Sequence, residues 1–360
     1  MAKVPREELS RAVQAELTKR APAHFEFDRL SKGKHVVFER SGLTEFHVTV
    51  ANSPKHRSAL EAAMQRGDLQ VINRDFVEQL AQTHSRFLAF LYDANIRVPP
   101  TFIRLDGKPI PIGKPLPVES KMWVKKVSFD EKGNFFGHRG AGVSIFAPKQ
   151  ITDILPTHDH EFFQQFVVPQ DNFLRDIRVY VVGDKIIPGY VRTATKPLTR
   201  GNYSGLYPPT EEQFVTAEHP GTVTPLEGEL AKKVVAEAKK VRTAFIERLC
   251  RTKPEWRKQS IFDFGSMDFL LDAHGEPIIG EFDTSPEIRD IGNLRKTLAS
   301  AVADHLVEKA GKTGTVHVIG DKRDDFIAKI LVHLGKELKA DQISQKQPLH
   351  RIALVGRLSG

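Results

Sequence analysis

Residues 261–291 read IFDFGSMDFLLDAHGEPIIGEFDTSPEIRDI, and this stretch decides the fold. Two short apolar runs, at 267–271 and 277–283, flank a cluster of turn-forming residues at 272–275. Short runs of alternating polarity on either side of a glycine-containing turn predict a β-hairpin. We therefore expect two adjacent antiparallel strands here, and the remaining motifs of the chain are interpreted relative to them.

Three acidic residues of this hairpin could converge on one face. Side chains two apart share a strand face, so Glu281 and Asp283 point to the same side, and Asp268 reaches it if the hairpin folds back on itself. Carboxylate oxygens suit hard divalent cations such as Mg²⁺, which often share them with nucleotide phosphates. The alternative is an ordinary hairpin with acidic residues on its solvent-exposed face. Spacing alone leaves both interpretations open.

The composition is that of an ordinary globular protein. The chain has 360 residues, enough for two or three domains, with 40% hydrophobic and 27% charged residues. It contains no apolar run of the roughly 20 residues that a membrane span needs. Residues 1–20 have no apolar segment typical of a secretory signal and are predicted to form an amphipathic helix. The single cysteine, Cys250, predicts a reducing cytoplasm and is interpreted as a core residue rather than a nucleophile.

The net charge of +8 favours anionic partners, such as nucleotide phosphates or acidic small molecules. A zinc cluster is excluded by the single cysteine and the scattered histidines. Nucleic acid is a less favoured partner, because no aromatic-rich RNA-binding signature is present.

Hydrophobic periodicity predicts α/β segments at both ends of the chain. Towards the N-terminus the predicted strands are 34–39, 45–51 and 69–72, and the predicted helices are 57–66 and 76–93. Towards the C-terminus the predicted helices are 231–249, 294–309 and 323–338, and the predicted strands are 315–319 and 351–356. No function is predicted for residues 311–360.

The middle of the chain carries a cation and a glycine-bearing loop. Lys125 lies on a predicted strand at 121–126, and Gly137, Gly140 and Gly142 follow it. Glycines permit a close backbone approach to phosphates, and the lysine supplies a positive charge. The loop matches neither the Walker pattern nor a dinucleotide-binding fingerprint, so by itself it is a weak signal.

A strand at 162–168 is followed by a β-hairpin at 174–192 that turns at Gly183-Asp184. Arg178 and Arg192 lie on opposite arms, and we expect them to meet across the hairpin. Two opposed arginines repel unless an anion lies between them, so the pair is either an anion site or two separately solvated side chains. The irregular loop at 193–210 either covers an active site or is a linker.

The order of these parts resembles the ATP-grasp superfamily, over about residues 70–305. The closest branch is that of the glutamate ligases, which add amino acids to protein or peptide tails. After the lysine strand and glycine loop, the matching motifs are Gln165-Phe166-Val167-Val168, Asp176-Ile177-Arg178, Val182-Gly183-Asp184-Lys185, Arg192, Asn202, Asp268 and Glu281-Phe282-Asp283-Thr284-Ser285-Pro286.

The resemblance implies an α/β (α+β) ATP-grasp fold: a small N-terminal α/β domain, a central lysine and glycine-loop domain, and a C-terminal nucleotide- and metal-binding domain. The implied segments are a helix at 1–20, the N-terminal domain at 21–100, a central subdomain at 101–168, a C-terminal subdomain at 169–310 and a βαβ extension at 311–360. It also implies that the chain could form a homo-oligomer.

The resemblance also assigns site residues. It implies that Lys125 and the loop of Gly137, Gly140 and Gly142 contact the phosphates of ATP. Gln165 and the backbone of Phe166 and Val168 would meet the adenine, Asp176 would lie near the ribose, and Asn202 would come from the covering loop. Arg178 and Arg192 are the implied catalytic residues. Asp268, Glu281 and Asp283 would bind two Mg²⁺ ions, with Mn²⁺ as an alternative.

Three departures from the family pattern bear on these roles. Asp283 stands where the family usually has Asn, which keeps the oxygen ligand and adds a charge. Thr83 and His84 stand where the family has an Asp-Lys pair. Either His84 or Arg86 supplies the phosphate contact instead, or one phosphate contact is missing and turnover is weaker. The Asn202 loop also lacks the arginine-glycine-glycine ending of the protein-tail ligases, which leaves the acceptor substrate open.

The implied function is an ADP-forming ligase that joins a small-molecule or peptide carboxylate to an amine through an acyl phosphate. His84 and His138 are candidates for assisting deprotonation of the amine. One alternative is an ATP-grasp kinase that phosphorylates a small polyanion such as an inositol phosphate, which would suit the positive net charge. Another is a catalytically weak, regulatory ATP-binding protein.

Overall fold

The structure is a computed structural model, and the chain divides in it into two compact units: Met1–Asp75 with Ala299–Gly360, and Phe76–Leu298. The structure describes residues 34–40, 62–63, 66–72, 84–105, 107–127, 143–158, 161–215, 221–252, 254, 257, 262–283, 286–320 and 324–346. The predicted helix at 1–20 and the predicted strands at 45–51 and 351–356 lie outside these residues, as does most of the predicted helix at 57–66.

The described elements mix strands and helices, which confirms the α/β class. The strands are β1 (His35–Arg40), β2 (Leu69–Val71), β3 (Thr101–Leu105), β4 (Lys108–Ile112), β5 (Trp123–Val127), β6 (Val143–Phe146), β7 (Glu161–Gln165), β8 (Arg175–Val182), β9 (Lys185–Thr193), β10 (Thr222–Pro225), β11 (Phe264–Leu271), β12 (Pro277–Asp283), β13 (Thr315–Gly320) and β14 (Ile343–Lys346). The helices are α1 (His84–Asp93), α2 (Arg200–Tyr203), α3 (Gly228–Thr252), α4 (Leu294–Ala310) and α5 (Asp325–Glu337). None of these helices combines the length and the apolarity that crossing a membrane requires.

The unit Phe76–Leu298 contains two five-stranded antiparallel sheets. The first has the strand order β4-β3-β7-β5-β6. Its edge strand β4 includes Pro109 and Pro111, which are tolerated there because an edge strand has one side without ladder hydrogen bonds. The predicted strand at 162–168 is shorter in the structure, since β7 ends at Gln165 and 166–168 continue as a buried irregular segment.

The second sheet of this unit has the order β10-β9-β8-β11-β12. Its two hairpins, β8–β9 and β11–β12, are those predicted from the sequence. Gly183 adopts φ +56° in the first turn and Gly275 adopts φ +72° in the second. Both values lie in the left-handed region that glycine enters without steric cost, which explains why the turns fall at these residues.

Helix α3 covers one face of the second sheet. Val234, Ala238, Val241 and Phe245 are spaced three or four residues apart, so they form the buried stripe of an amphipathic helix. This stripe belongs to the same core cluster as the inward residues of β8, β11 and β12. The helix predicted at 231–249 is thus confirmed and extends slightly at both ends.

Four phenylalanines form the aromatic centre of this core. Phe282 of β12 lies 4.7 Å from Phe87, 5.1 Å from Phe245 and 4.5 Å from Phe262, measured between ring centroids. The pairs with Phe87 and Phe262 meet edge to face, a favourable geometry for aromatic rings. Phe282 therefore fixes β12 against α3 and α1.

The turn between β11 and β12 is organised by a buried carboxylate. Asp272 is 1% exposed and accepts hydrogen bonds from the backbone amides of His274 (2.8 Å) and Glu276 (2.9 Å) and from Nη2 of Arg97 (2.7 Å). Burial acts to raise the pKa of Asp272, but these hydrogen bonds and the charge of Arg97 outweigh it and hold the pKa below its usual value.

The other unit is built on a parallel sheet with the order β14-β13-β1-β2. The predicted strand at 315–319 and helix at 323–338 are present as β13 and α5, and β14 was not predicted. Helix α5 begins after Asp324, whose side chain accepts a hydrogen bond from the Phe326 amide at 2.9 Å. On the central strands, His35 Nδ1 and His317 Nε2 lie 3.0 Å apart in a buried pair.

Replacing Phe282 by alanine should lower the free energy of unfolding by about 3–5 kcal/mol, because it removes a ring from the centre of the aromatic cluster. Urea denaturation followed by circular dichroism measures this. Leu206, 77% exposed, is the matched control, and Leu206→Ala should change stability by no more than about 0.5 kcal/mol. A loss below about 1 kcal/mol for Phe282→Ala would contradict the packing described here.

Replacing Asp272 by asparagine should destabilise the protein by about 2 kcal/mol at pH 7, because three donors lose a charged acceptor. The folded-state pKa of Asp272 is lowered, so its stabilising contribution is complete above the unfolded pKa of about 3.9 and is lost as the pH falls through the folded value. The difference between wild type and Asp272→Asn should therefore shrink on acidification. A difference that does not depend on pH would contradict this role.

Candidate active site

The second sheet has an apolar face towards α3 and a polar face opposite to it. On β8 the residues Ile177, Val179 and Val181 belong to the core, and strand alternation turns the residues between them the other way. The polar face carries Asp176, Arg178, Tyr180, Tyr190, Arg192, Ser266, Asp268, Glu281 and Asp283. The structure thus brings onto one face predicted site residues that are far apart in sequence.

Arg178 and Asp268 form a buried ion pair at the centre of this face. They are register partners on β8 and β11, and the guanidinium donates from Nε to Oδ1 at 2.7 Å and from Nη2 to Oδ2 at 2.6 Å. Nη1 of Arg178 also donates to the Glu287 carbonyl at 3.3 Å. Burial raises the pKa of Asp268 to about 7, although Arg178 acts in the opposite direction. Burial disfavours charge on Arg178 as well, but Asp268 outweighs it and raises the pKa of Arg178.

Arg192 has a carboxylate partner of its own. It pairs in register with Asp176, and its Nε donates to Oδ2 of that residue at 2.8 Å. The expectation that Arg178 and Arg192 oppose each other across the hairpin is wrong. A register shift between Arg178 and Val179 places Arg178 opposite Tyr190, and each arginine is neutralised by an aspartate rather than by an intervening anion.

The carboxylates of the β11–β12 hairpin share the polar face, as the alternation predicts. Glu281 lies opposite Asp268, and Asp283 lies opposite Ser266. In the part of the chain that the structure describes, however, no three histidine, cysteine or acidic side chains are grouped closely enough to hold a metal ion. The predicted ligands therefore do not form a preassembled site. One physical reason is that both oxygens of Asp268 already accept hydrogen bonds from Arg178.

Lys125, on β5 of the first sheet, is held by a buried carboxylate. Its Nζ lies 2.5 Å from Oε1 of Glu161 and 5.4 Å from the centre of the Phe163 ring. The other oxygen of Glu161 accepts from the Thr157 amide at 2.7 Å. Burial acts to raise the pKa of Glu161, but the hydrogen bond from Lys125 and those from Thr157 prevail and lower it. The predicted loop of Gly137, Gly140 and Gly142 lies outside the described residues, as does His138.

The predicted adenine segment follows β7 directly and is buried. Gln165 donates from Nε2 to the Ser120 carbonyl at 3.0 Å, and the Phe166 amide donates to the Met122 carbonyl at 3.0 Å. The Phe166 amide therefore already donates a hydrogen bond within the protein. The predicted adenine contact at Phe166 would have to be made by its carbonyl. The contact predicted through Val168 stays a prediction.

Asn202 lies inside its loop, at the turn formed by α2. Its side-chain oxygen accepts from the Thr199 amide at 2.7 Å, from the Thr199 hydroxyl at 2.8 Å and from Nε2 of Gln213 at 3.0 Å. Its amide group donates to the Tyr207 carbonyl at 3.4 Å. These contacts give Asn202 a role in shaping the loop, and its predicted contact with nucleotide stays a prediction.

Sequence reasoning missed four residues at or near the site: Glu161, Tyr180, Tyr190 and Arg289. Tyr180 lies two residues after Arg178 on β8, and Tyr190 lies two residues before Arg192 on β9. Residues two apart share a strand face, so this spacing alone could have placed both tyrosines on the polar face. Glu161 and Arg289 carry no comparable signal, because their partners are set by tertiary contacts. His84, which stands in place of the family lysine, is the first residue of α1. The structure does not describe the side chains of His84 and Arg86, so their predicted phosphate contact stays a prediction.

No family profile matches the chain. Among curated proteins it is 32% identical over 78 residues to tetrahydromethanopterin:alpha-L-glutamate ligase of Methanococcus maripaludis. The match covers 20% of this chain and 27% of that protein, so the chain spans about a quarter of the length of this relative.

Several solved structures resemble the chain at low sequence identity. D-cycloserine synthetase DcsG is 15% identical, with 84% of this chain and 94% of that chain covered and a TM-score of 0.43. The RiPP-associated ATP-grasp ligase of Chryseobacterium gregarium is 13% identical, with 71% and 68% covered and a TM-score of 0.37. VanG D-Ala:D-Ser ligase of Enterococcus faecalis is 16% identical, with 63% and 59% covered and a TM-score of 0.34. In its motif order and in these comparisons, the chain is similar to ATP-grasp ligases.

Proposed function

We propose that this protein is an ATP-dependent carboxylate–amine ligase that forms ADP and an acyl-phosphate intermediate. The observation that carries the proposal is the register pairing of Arg178 with Asp268 and of Asp268 with Glu281. These residues come from separate motifs of the ATP-grasp pattern, and they lie side by side on one polar sheet face. A shared face is what a common phosphate and metal site requires.

The proposed nucleotide site joins the first sheet to the second. Lys125 and the hinge segment 165–168 belong to the first, and the polar face belongs to the second. In this proposal residues 101–168 and 169–310 act as the two ATP-grasp subdomains. Glu161 holds the ammonium group of Lys125 by an ion pair, and a lysine held in this way would meet a phosphate with less loss of side-chain entropy.

The residues of the polar face fit Mg²⁺ by the chemistry of their donors. Glu281 and Asp283 offer carboxylate oxygens on one strand face, and each oxygen of Asp268 keeps a lone pair beyond the one that Arg178 uses. These three residues would hold the metal after their side chains turn towards it, since among the described residues they are not already grouped closely enough. When bound, Mg²⁺ supplies positive charge that offsets the charge of the phosphates during transfer.

The side chains would contribute to this reaction mainly by electrostatic stabilisation. A substrate carboxylate oxygen attacks the γ-phosphorus of ATP, ADP leaves, and an amine then displaces phosphate from the acyl carbon. Lys125 and Arg192 would offset negative charge on the transferring phosphoryl group, and the Arg178–Asp268 pair would hold the acidic hairpin in register. No side chain needs to act as a nucleophile.

Asp268→Asn should reduce ATP turnover by about 100-fold or more, because it leaves Arg178 without its counter-charge and removes a proposed metal ligand. Asp290→Asn, at an exposed position seven residues after β12, is the matched control and should keep turnover within about twofold. ADP release in the presence of Mg²⁺ measures both. Unchanged turnover in Asp268→Asn would remove the proposed site.

Pools of amino acids and small carboxylates, added with ATP and Mg²⁺, should give ADP release that depends on an amine. Mass spectrometry should then find a new amide product. ADP release that needs only a phosphorylated polyol, with a stable phosphorylated product, would favour the kinase instead. Nucleotide binding with no ADP release for any pool would favour a regulatory protein.

A further inference from the structure

Three buried polar atoms on or beside the polar face have no hydrogen-bond partner among the described residues. They are the hydroxyl of Tyr190, Oγ of Ser266 and Nε of Arg289. Tyr190 and Ser266 are both 0% exposed. Buried polar groups are nearly always hydrogen-bonded, so a group of unpartnered ones in one region indicates a missing partner.

The Tyr190 ring connects two of these atoms. The guanidinium carbon of Arg289 lies 5.7 Å from the ring centre, and that of Arg178 lies 5.9 Å from it. Burial is the main cause of the raised pKa of the Tyr180 hydroxyl, and Tyr190 adds to it by its charge and by a contact between the two hydroxyls. That contact does not have the geometry of an ordinary hydrogen bond. Tyr180 in turn donates to the Glu287 carbonyl at 2.8 Å, two residues before Arg289. The segment that carries Arg289 is thus fixed over the polar face.

The arginines of this face differ in how far their donors are used. Arg178 donates to both oxygens of Asp268 and to a carbonyl, and Arg192 donates from two nitrogens to Asp176. The acidic contact of Arg289 is Glu287, whose side chain is 67% exposed and whose oxygen lies 3.6 Å from Nε. An ion pair with an exposed carboxylate at that distance contributes little, so Arg289 keeps most of its donor capacity.

We infer that Arg289, together with the Tyr190 hydroxyl, binds an oxyanion group of the substrate. Guanidinium groups pair strongly with carboxylate and phosphate oxygens, and a phenol can donate one further hydrogen bond. The side chain of Arg289 is 21% exposed while its Nε is covered, so its exposed part can receive a ligand from solvent. This inference rests on the proposed function for the identity of the substrate, but not for the existence of the anion site.

Among Arg178, Arg192 and Arg289, the charge of Arg289 is the least neutralised by a carboxylate. Asp176 and Asp268 are each neutralised by an arginine, and the exposed Glu287 can turn towards solvent when a stronger anion pairs with Arg289. Glu281 and Asp283 lie on the adjoining strand and would repel an anion unless a cation lies between. The titration is therefore done with Mg²⁺ present.

The test uses inorganic phosphate and, separately, acetate as probes, added to the protein with Mg²⁺ and ADP at constant ionic strength. The midpoint of thermal unfolding should rise with probe concentration, because a ligand of the native state stabilises it by mass action. Arg289→Gln should weaken the apparent affinity at least tenfold. Lys296→Gln, which removes the same charge from an exposed position on α4, should leave it within about twofold. The stronger probe identifies the group as phosphate-like or carboxylate-like.

Tyr190→Phe is a second variant, and it separates a role in ligand binding from a purely structural role. A binding role predicts weaker probe binding with little change in stability. Because the hydroxyl makes only a poorly formed contact with the Tyr180 hydroxyl, its removal should leave the free energy of unfolding without ligand nearly unchanged. The same variant should weaken probe binding several-fold. A loss of stability with unchanged probe binding would mean that the hydroxyl is satisfied internally, for instance by a buried water, and would overturn the inference.

ADP binding to all three variants and the wild type, measured by calorimetry, separates this inference from the proposed function. If the wild type binds no ADP, the proposed function fails, and the probe titrations of the protein alone still decide the anion site. If ADP binds but neither probe does, or if the probes bind Arg289→Gln as tightly as wild type, the anion site is overturned and the proposed function stands.

Discussion

The ion pair between Arg178 and Asp268 is the interaction on which the polar face depends. Neither charge could remain buried alone, because an uncompensated ion in a protein interior is strongly destabilising. The pair joins β8 to β11 and thereby brings the hairpin of residues 175–193 beside the acidic hairpin. Glu281 and Tyr190 are then placed by their register with these two residues, and the segment after β12 is held by the hydrogen bond from Arg178 to the Glu287 carbonyl. This charge pair thus links two parts of the site that lie 90 positions apart in sequence.

Much of this arrangement could be predicted from local sequence. Alternating polarity with glycine at the turns predicts both hairpins of the second sheet, and Gly183 and Gly275 have the positive φ values that such turns need. The three- and four-residue spacing of apolar positions predicts α3. Strand period also places Glu281 and Asp283 on one face. These features depend on neighbours close in sequence, and for that reason single-sequence patterns reveal them.

The remaining features depend on contacts that no local pattern encodes. The register shift beside Arg178 decides which residue faces which arginine, and it is accommodated at Gly189, where any Cβ would lie 2.6 Å from the Arg178 carbonyl. The partner of Lys125, Glu161, comes from another strand. Asn202 has the chemistry of a ligand-binding residue, yet its loop uses that chemistry to fold. Sequence identifies polar groups, but only the tertiary structure shows which of them are already satisfied.

The parallel pairing of β1 with β13 has a consequence for how the chain is made. His35 pairs with Thr315, so β1 emerges from the ribosome long before its central neighbour exists. At about 5–20 residues per second, the wait amounts to roughly 14–56 s, during which the unit of residues 76–298 can fold. Until then β1 carries an edge of open backbone donors and acceptors, which is the kind of surface that chaperones bind or that pairs wrongly with another chain. The unit that contains β1 is therefore the first to begin during synthesis and the last to be completed.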